Sequence, residues 1–359
     1  MLKDGVDLQG VRRVLVIKLR HHGDVLLASP VFSVLKNHAA QIEVDALVYA
    51  DTAPMLTGHP AISRVFGIDR SWKNLGLVAQ ASKEWGLLQE LRRRDYDLLV
   101  HLSEHPRGAW LARFLGARYS VAADYPRVRG WWKRSFSHLS PLPKNGRRHM
   151  VELNLDLLRR IGVQPGESER KLCFVPGEEA EREVGRMLTE LGLAPAGYIH
   201  LHPASRWQFK CWPAAKTAEL IDKLQALGER VLVTAAPDAE ELDLVARIRS
   251  LATTPFADLS GKLTLKQLGA VSRYARLFVG VDSAPMHIAS AMQTPVVALF
   301  GPSGEFNWGP WQVPHRVVAS NHSCRPCGND GCGGGKLSEC LSTLPVSEVL
   351  QAVLALSRF

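Results

Sequence analysis

The sequence predicts an α/β protein built from two domains, each a doubly wound parallel sheet. Short apolar strand candidates alternate with amphipathic helix candidates, the pattern of βαβ units whose strands are covered on both faces. The alternation runs through the first half, pauses in a polar stretch holding glycine and proline, and restarts. At 359 residues the chain is also long for a single hydrophobic core.

In the first half, Arg12–Lys18 is a strand whose Val-Leu-Val-Ile run suits a buried parallel position, and a helix pattern follows from Val25 to Leu35. Ile42–Val48 is the next strand, Ala53–Thr57 a short helix and Val65–Ile68 a third strand. Trp85–Arg94 reads as an amphipathic helix, Tyr96–Leu102 as a strand and Met150–Ile161 as a helix. Gly162–Lys171 has linker composition. The domains are therefore placed at 1–165 and 177–345, with a linker at 166–176 and a final helix in 346–359. In the second half, helices at Glu178–Leu191, Pro213–Leu227, Glu240–Leu251 and Leu265–Ala275 separate strands at Tyr198–His202, Arg230–Thr234 and Leu277–Val281. A last strand, Pro295–Phe300, ends in Gly301-Pro-Ser-Gly304.

Composition is that of a soluble globular protein, with 46% hydrophobic and 22% charged residues. The N-terminal residues lack the apolar core of a secretory signal, and no apolar run approaches the ~20 residues that cross a bilayer. A cytoplasmic location is expected, where the six cysteines are thiols or metal ligands rather than disulfides. The net charge is +9, and His105–Met150 alone carries ten Lys and Arg against one acid, Asp124. So local an excess points to an anionic partner: nucleic acid, an acidic membrane face or a phosphorylated substrate.

The stretch from Val279 to Met292 runs from a strand end through Asp282 and Ser283 into a helix of small and apolar residues. Asp and Ser suit a helix N-terminus, and a helix start after a strand gathers free N–H groups and the positive end of the helix dipole, as a phosphate requires. An ordinary capped helix in a sheet protein has the same pattern. In open α/β sheets ligands sit at the carboxyl ends of strands, which places Asp24, Lys210 and Asp282 at the facing edges of two domains.

Val14–Pro30, Asp282–Ala291 and Phe300-Gly-Pro302, in this order and spacing, closely resemble the bacterial lipopolysaccharide heptosyltransferases, glycosyltransferase family 9. The His21-His22 pair before Gly23-Asp24 is most similar to the members that add the third, branching heptose of the inner core. The resemblance implies a GT-B fold, two Rossmann-like domains facing across a cleft, and an inverting glycosyltransferase of Gram-negative lipopolysaccharide core biosynthesis. It implies ADP-heptose as donor and, as acceptor, the second heptose of the phosphorylated heptose-Kdo-lipid A core. It also implies a cytoplasmic enzyme peripheral to the inner membrane.

By this resemblance Asp24 is the general base that takes the acceptor proton, although the same residue also suits a helix cap. Lys210 neutralises the departing pyrophosphate, and Ser205 on the same loop donates to a phosphate oxygen. Backbone amides of Ser283, Ala284 and Met286 hold the diphosphate, and Asp282 accepts from heptose hydroxyls. Ala284 stands where many relatives have glycine, and Pro285 removes one donor. His287 is either a packed helix histidine or a ligand contact, and Glu240 loosely matches an acid that binds the adenosine ribose. Arg20 and His22 beside Asp24, with Arg127, Arg129 and Arg134 in the basic segment, are assigned to the acceptor. Trp131 and Trp132 are assigned to an anionic membrane surface. No Asp-x-Asp pair marks a donor-site metal, so no cofactor is expected. Cys324, Cys327, Cys332 and Cys340 are weighed as a four-thiolate zinc site, the second pair being widely spaced. The rivals are another nucleotide-sugar transferase or an epimerase on the same scaffold, and a basic nucleic-acid-binding protein. No nucleic-acid-binding module is recognisable, and no Gly-x-Gly-x-x-Gly follows the first strand to support a dehydrogenase.

Overall fold

The computed structural model describes residues 4–356 and divides into two compact units, one ending at Cys173 and the other beginning at Phe174. That division lies within the 166–176 segment.

The first unit is a six-stranded parallel sheet: β1 (Arg13–Lys18), β2 (Glu43–Tyr49), β3 (Arg64–Ile68), β4 (Leu98–His101), β5 (Tyr119–Ala123) and β6 (His138–Ser140). The strand order is β3-β2-β1-β4-β5-β6, and every pairing is parallel. Helices α1 (His22–Leu26), α2 (Ser29–His38), α3 (Leu77–Arg92), α4 (Pro106–Phe114), α5 (Gly130–Lys133) and α6 (Met150–Arg160) connect and cover it. β1 is central because it is apolar on both faces, with Val14 through Ile17 fully buried. Leu15 and Ile17 pack into one cluster with Leu87 and Leu91 of α3, Ala109 of α4 and Trp132 of α5. Ala53–Thr57, expected as a short helix, lies in and just after a 3₁₀ turn at Ala50–Met55.

The basic segment differs most from the sequence reading, which placed no element between Leu102 and Met150; it supplies α4, β5, α5 and β6. β5 and β6 are short and flanked by polar residues, so neither makes an apolar run long enough to register. Trp132, assigned to a membrane interface, is 2% exposed and sits 4.6 Å from Phe136, ring centre to ring centre, inside the core. α3 begins eight residues earlier than Trp85, at Leu77.

The second unit repeats the design with β7 (Ile199–His202), β8 (Val231–Val233), β9 (Ala257–Asp258), β10 (Leu277–Val281), β11 (Val296–Leu299) and β12 (His315–Val318). Their order is β12-β11-β10-β7-β8-β9, the same winding when counted from the unit's own first strand, and again all parallel. Its helices are α7 (Glu178–Glu190), α8 (Ala214–Ala226), α9 (Ala239–Leu251), α10 (Leu265–Tyr274), α11 (Ala284–Ala291), α12 (Glu305–Trp308), α13 (Glu339–Ser342) and α14 (Val346–Leu356). By analogy with the fold, the sequence allows the final helix to return to the first domain. Val349, Val353 and Leu356 of α14 enter the same cluster as Leu220, Ile221 and Leu224 of α8. Residues 357–359 of the segment expected to hold the final helix lie outside the described residues.

One close approach makes a sharp test of the first core. A Cβ added at Gly108 of α4 would fall within the ring of His101. That ring is itself stacked on Phe136 at 5.7 Å and lies 5.9 Å from Trp132. Gly108→Ala is expected to cost roughly 1–3 kcal/mol through overpacking, read as a lower urea midpoint with unchanged slope. An unchanged midpoint would show that this packing is loose.

Candidate active site

In a doubly wound sheet the loops after the two strands at the winding reversal diverge and leave a crevice at their carboxyl ends. In the second unit those strands are β7 and β10. The loop after β7 leads to Lys210, and β10 ends one residue before Asp282. The two side chains meet: Lys210 Nζ donates to Asp282 Oδ2 at 2.6 Å. Asp282 is buried, with its side chain 7% exposed, whereas that of Lys210 is 22% exposed and reaches solvent. The sequence reading gave the two residues separate duties; the fold makes them one ion pair.

Helix α11 starts immediately beyond. Ser283 occupies the N-cap position in an extended conformation, but its Oγ donates back to Val281 O at 3.4 Å and does not cap the helix. The Met286 amide, assigned to the diphosphate, donates instead to Ser283 O at 3.1 Å. Pro285 lacks an N–H, so Ser283 and Ala284 are the assigned positions whose amides lie ahead of the helix's internal bonds. His287 is buried on this helix. Ser205 is buried in the Lys210 loop, where its Oγ accepts from the Trp207 amide at 3.3 Å.

Glu240 is exposed in the first turn of α9, and its amide is capped by Asp238. Its neighbour Glu241, absent from the sequence reading, is buried and accepts the Ala236 amide at 2.8 Å. The signal was helical period: residue 241 shares the inward stripe with Leu244, Val245 and Ile248. A buried chain continues beneath it. His200 lies 2.7 Å from Thr234 Oγ1 and 3.1 Å from Ser272 Oγ, and His202 lies 2.8 Å from the same threonine oxygen. Burial pushes His202 down to about 3 and holds His200 well below the usual histidine range. Both rings are neutral, so the 3.9 Å approach of His202 to Glu241 is no ion pair. Burial also raises the Glu241 carboxyl.

In the first unit Asp24 stands in the first turn of α1, whose N-cap position is taken by His21. Gly23 lies within the helix and not in a turn before it. Arg20, assigned to the acceptor, pairs with Glu104 at 3.0 Å, and His22 Nε2 lies 3.0 Å from Asp51 O. Arg70 holds the loop from outside, donating to Arg20 O at 3.1 Å and to Asp51 Oδ1 at 3.1 Å. From inside, Asn154 donates to Leu27 O, the C-cap of α1, and accepts from Lys18 Nζ at 3.1 Å. Lys18 also donates to Leu102 O at 2.9 Å and is 3% exposed. Burial pushes its pKa down to about 8, with the Asp24 charge opposing and Arg20 adding to that shift. Lys18 was also missed, although alternation places it on one face with Val14 and Val16. Arg127, Arg129 and Arg134 are all exposed.

The four late cysteines are free thiols, with Cys324, Cys327 and Cys332 exposed and Cys340 buried. Among the described residues no group of three or more His, Cys, Asp or Glu is arranged to hold a metal ion. Cys332 accepts the Glu339 amide at 3.4 Å, and Cys340 is buried on α13.

Two six-stranded parallel sheets wound alike, each with helices on its faces, are those of the GT-B fold, here with a cation and a helix start at one winding reversal. The profile described as "Glycosyltransferase family 9 (heptosyltransferase)" matches residues 85–337, and the chain belongs to that family. It is 37% identical over 337 residues to "Lipopolysaccharide heptosyltransferase 3" of Escherichia coli (strain K12), covering 93% of this chain and 95% of that one. The glycosyl transferase family 9 structure from Veillonella parvula superposes with a TM-score of 0.85 at 22% identity, covering 99% of each chain. E. coli ADP-heptose lps heptosyltransferase II superposes with a TM-score of 0.76 at 20% identity, over 96% of this chain and 98% of that one.

The buried lysine gives a signed expectation. Lys18 loses its proton near pH 8 when folded and near its ordinary 10.5 when unfolded. Across that window the unfolded chain binds more protons, so this group makes stability rise with pH, by up to about 1.4 kcal/mol per unit. Urea midpoints measured from pH 7 to 10 should show that contribution in the wild type and lose it in Lys18→Met. Parallel pH curves would mean that the ammonium is not desolvated.

Proposed function

We propose that this heptosyltransferase moves L-glycero-D-manno-heptose from ADP-heptose to the second heptose of the phosphorylated lipopolysaccharide inner core, with inversion. The acceptor oxygen forms the new bond to the anomeric carbon as the bond to ADP breaks on the opposite face, and Asp24 takes the hydroxyl proton. Lys210 receives the charge that builds on the departing diphosphate, which is worth most in the transition state. Asp282 orients that ammonium and accepts from the sugar. The observation that carries the reading is the Lys210–Asp282 pair at the winding reversal beside the start of α11, in a chain 37% identical to a named lipopolysaccharide heptosyltransferase 3. Arg127, Arg129 and Arg134 are the proposed contacts to acceptor phosphates. Among the described residues no helix is long and apolar enough to cross a membrane. This fits the proposed cytoplasmic location, peripheral on the inner face of the inner membrane, with lipid and lipopolysaccharide rather than nucleic acid as partners.

ADP release from ADP-heptose, followed with and without inner-core acceptor bearing two heptoses, tests both roles. Asp24→Ala is expected to lower kcat about 10²–10⁴-fold, and Lys210→Ala on the order of 10²-fold or more. Release that survives Asp24→Ala would require another base, and no release with any heptose acceptor would remove the donor assignment. The same assay bears on the metal: the wild-type rate should be unchanged in EDTA. A loss restored by Mg²⁺ would overturn metal-independent turnover.

A further inference from the structure

Helix α4 buries Gly108, Ala109, Leu111 and Ala112 and turns the opposite face outward. On that face Trp110 is 49% exposed and Phe114 48%. The two rings stack at 5.7 Å with an 11° interplanar angle, and Trp131 of α5 closes on Trp110 at 5.1 Å. The result is one contiguous aromatic face, not scattered apolar residues of the kind any surface carries.

Its border is cationic. Arg113 donates to Trp131 O at 3.1 Å and to Ser135 Oγ at 2.7 Å, which fixes its guanidinium beside the rings. Arg92 of α3 donates to Phe114 O at 3.0 Å. Arg129 and Arg134, both exposed, are the residues flanking the short helix that carries Trp131. Of the acids on or next to these elements, Glu84 is paired with Arg107 and Asp124 with Lys133, while Glu90 of α3 is exposed. Among the described residues Arg92, Arg113, Arg129 and Arg134 form no ion pair, and they make a cationic fringe.

We infer that this face docks on the surface of an anionic lipid bilayer, with Trp110, Phe114 and Trp131 at headgroup depth and Arg92 and Arg113 on lipid phosphates. Tryptophan favours that depth because its ring is apolar and its N–H polar. Arginine stems can lie along the rings while their charges stay wet, and an anionic leaflet attracts each cation near it. A second copy of the chain fits poorly, since self-docking would bring two arginine fringes together. Stacked nucleic-acid bases fit poorly as well, because Trp110 already has Phe114 stacked on it and Trp131 beside it. The inference rests on the peripheral location proposed above and not on which sugar is transferred.

Flotation with vesicles of phosphatidylethanolamine and phosphatidylglycerol tests it, using wild type and the double variant Trp110→Ser, Phe114→Ser. Both rings are half-exposed, so the variant should keep the wild-type melting curve and its rate of ADP release with a delipidated, soluble acceptor. The wild type is expected to float with the anionic vesicles, progressively less as salt rises, and hardly at all with phosphatidylcholine alone. The variant should partition on the order of tenfold more weakly. Equal flotation of both proteins, or equal binding to neutral vesicles, would overturn the inference, as would a dimer in sedimentation that the variant abolishes. Flotation does not depend on turnover. An inactive protein that floats would therefore sink the transferase reading alone, and an active one that does not float would sink the docking face alone.

Discussion

A parallel strand covered on both faces has to be apolar along its length, and that requirement decides where polar chemistry can begin. Past Arg13 at its opening, β1 is buried from Val14 onward and next carries a charge at its last residue, Lys18. β10 is buried from Leu277 to Val281, and its first charge is Asp282, one step beyond the end. β7 is buried throughout and ends at His202, where the chain to Thr234 starts. Lys18, His202 and Asp282 thus gather at the carboxyl edges, while polar residues inside strands, such as Asp45 of β2 and His200 of β7, are buried only against partners of their own. The loops diverge at the winding reversal, so Lys210 can reach Asp282 there.

Each group so placed is held by a neighbour that satisfies it. Asp282 is nearly out of water and would be costly alone, and Lys210 supplies the counter-charge while remaining open to solvent on its own side. Lys18 has no such arrangement. Its ammonium is buried against a backbone carbonyl and an amide oxygen, and Asp24 acts on it only as a nearby charge. Asn154 turns this into a positional device, since the amide that accepts from Lys18 also donates to the C-cap carbonyl of α1. With Arg70 gripping Arg20 O from outside, the short helix carrying Asp24 is held at both ends. A five-residue helix has little stability of its own. Tertiary bonds therefore fix the Asp24 backbone.

Much of this was legible in the sequence, for a physical reason. Strands buried on both faces read as apolar runs, so β1, β10 and β11 stand out within a residue or two of their ends, as does β7 despite its two histidines. The polar residue after such a run is then a site candidate by position, as Asp282 is, whereas Asp24 and Lys210, six and eight residues past their strands, were singled out by the family resemblance. β5, β6, β9 and β12 were not, because two to five residues near a sheet edge need little apolar character. Pairings were also out of reach. Lys210 and Asp282 are 72 residues apart, and nothing in either local stretch says that they touch. Trp131 and Trp132 show the limit most sharply: adjacent on a four-residue helix, one turns to the arginine fringe and the other into the core. Four residues are too few for a period to tell which is which.

The same limit governs charge. Ten cations against one acid between His105 and Met150 suggest a uniform positive field, yet the structure spends some of them locally. Arg107 is held by Glu84, and Arg148 by Glu152 and Asp156, acids that lie outside the window. Lys133 takes Asp124, the one acid inside it. A window count therefore overstates the field, because the neutralising carboxylates arrive through folding from elsewhere in the chain. What survives is more specific than a basic segment: arginines around three clustered rings on one face, and Arg127 exposed just before the α5 turn. Net charge says that an anion is sought. Only the pairing of charges in three dimensions says which face seeks it.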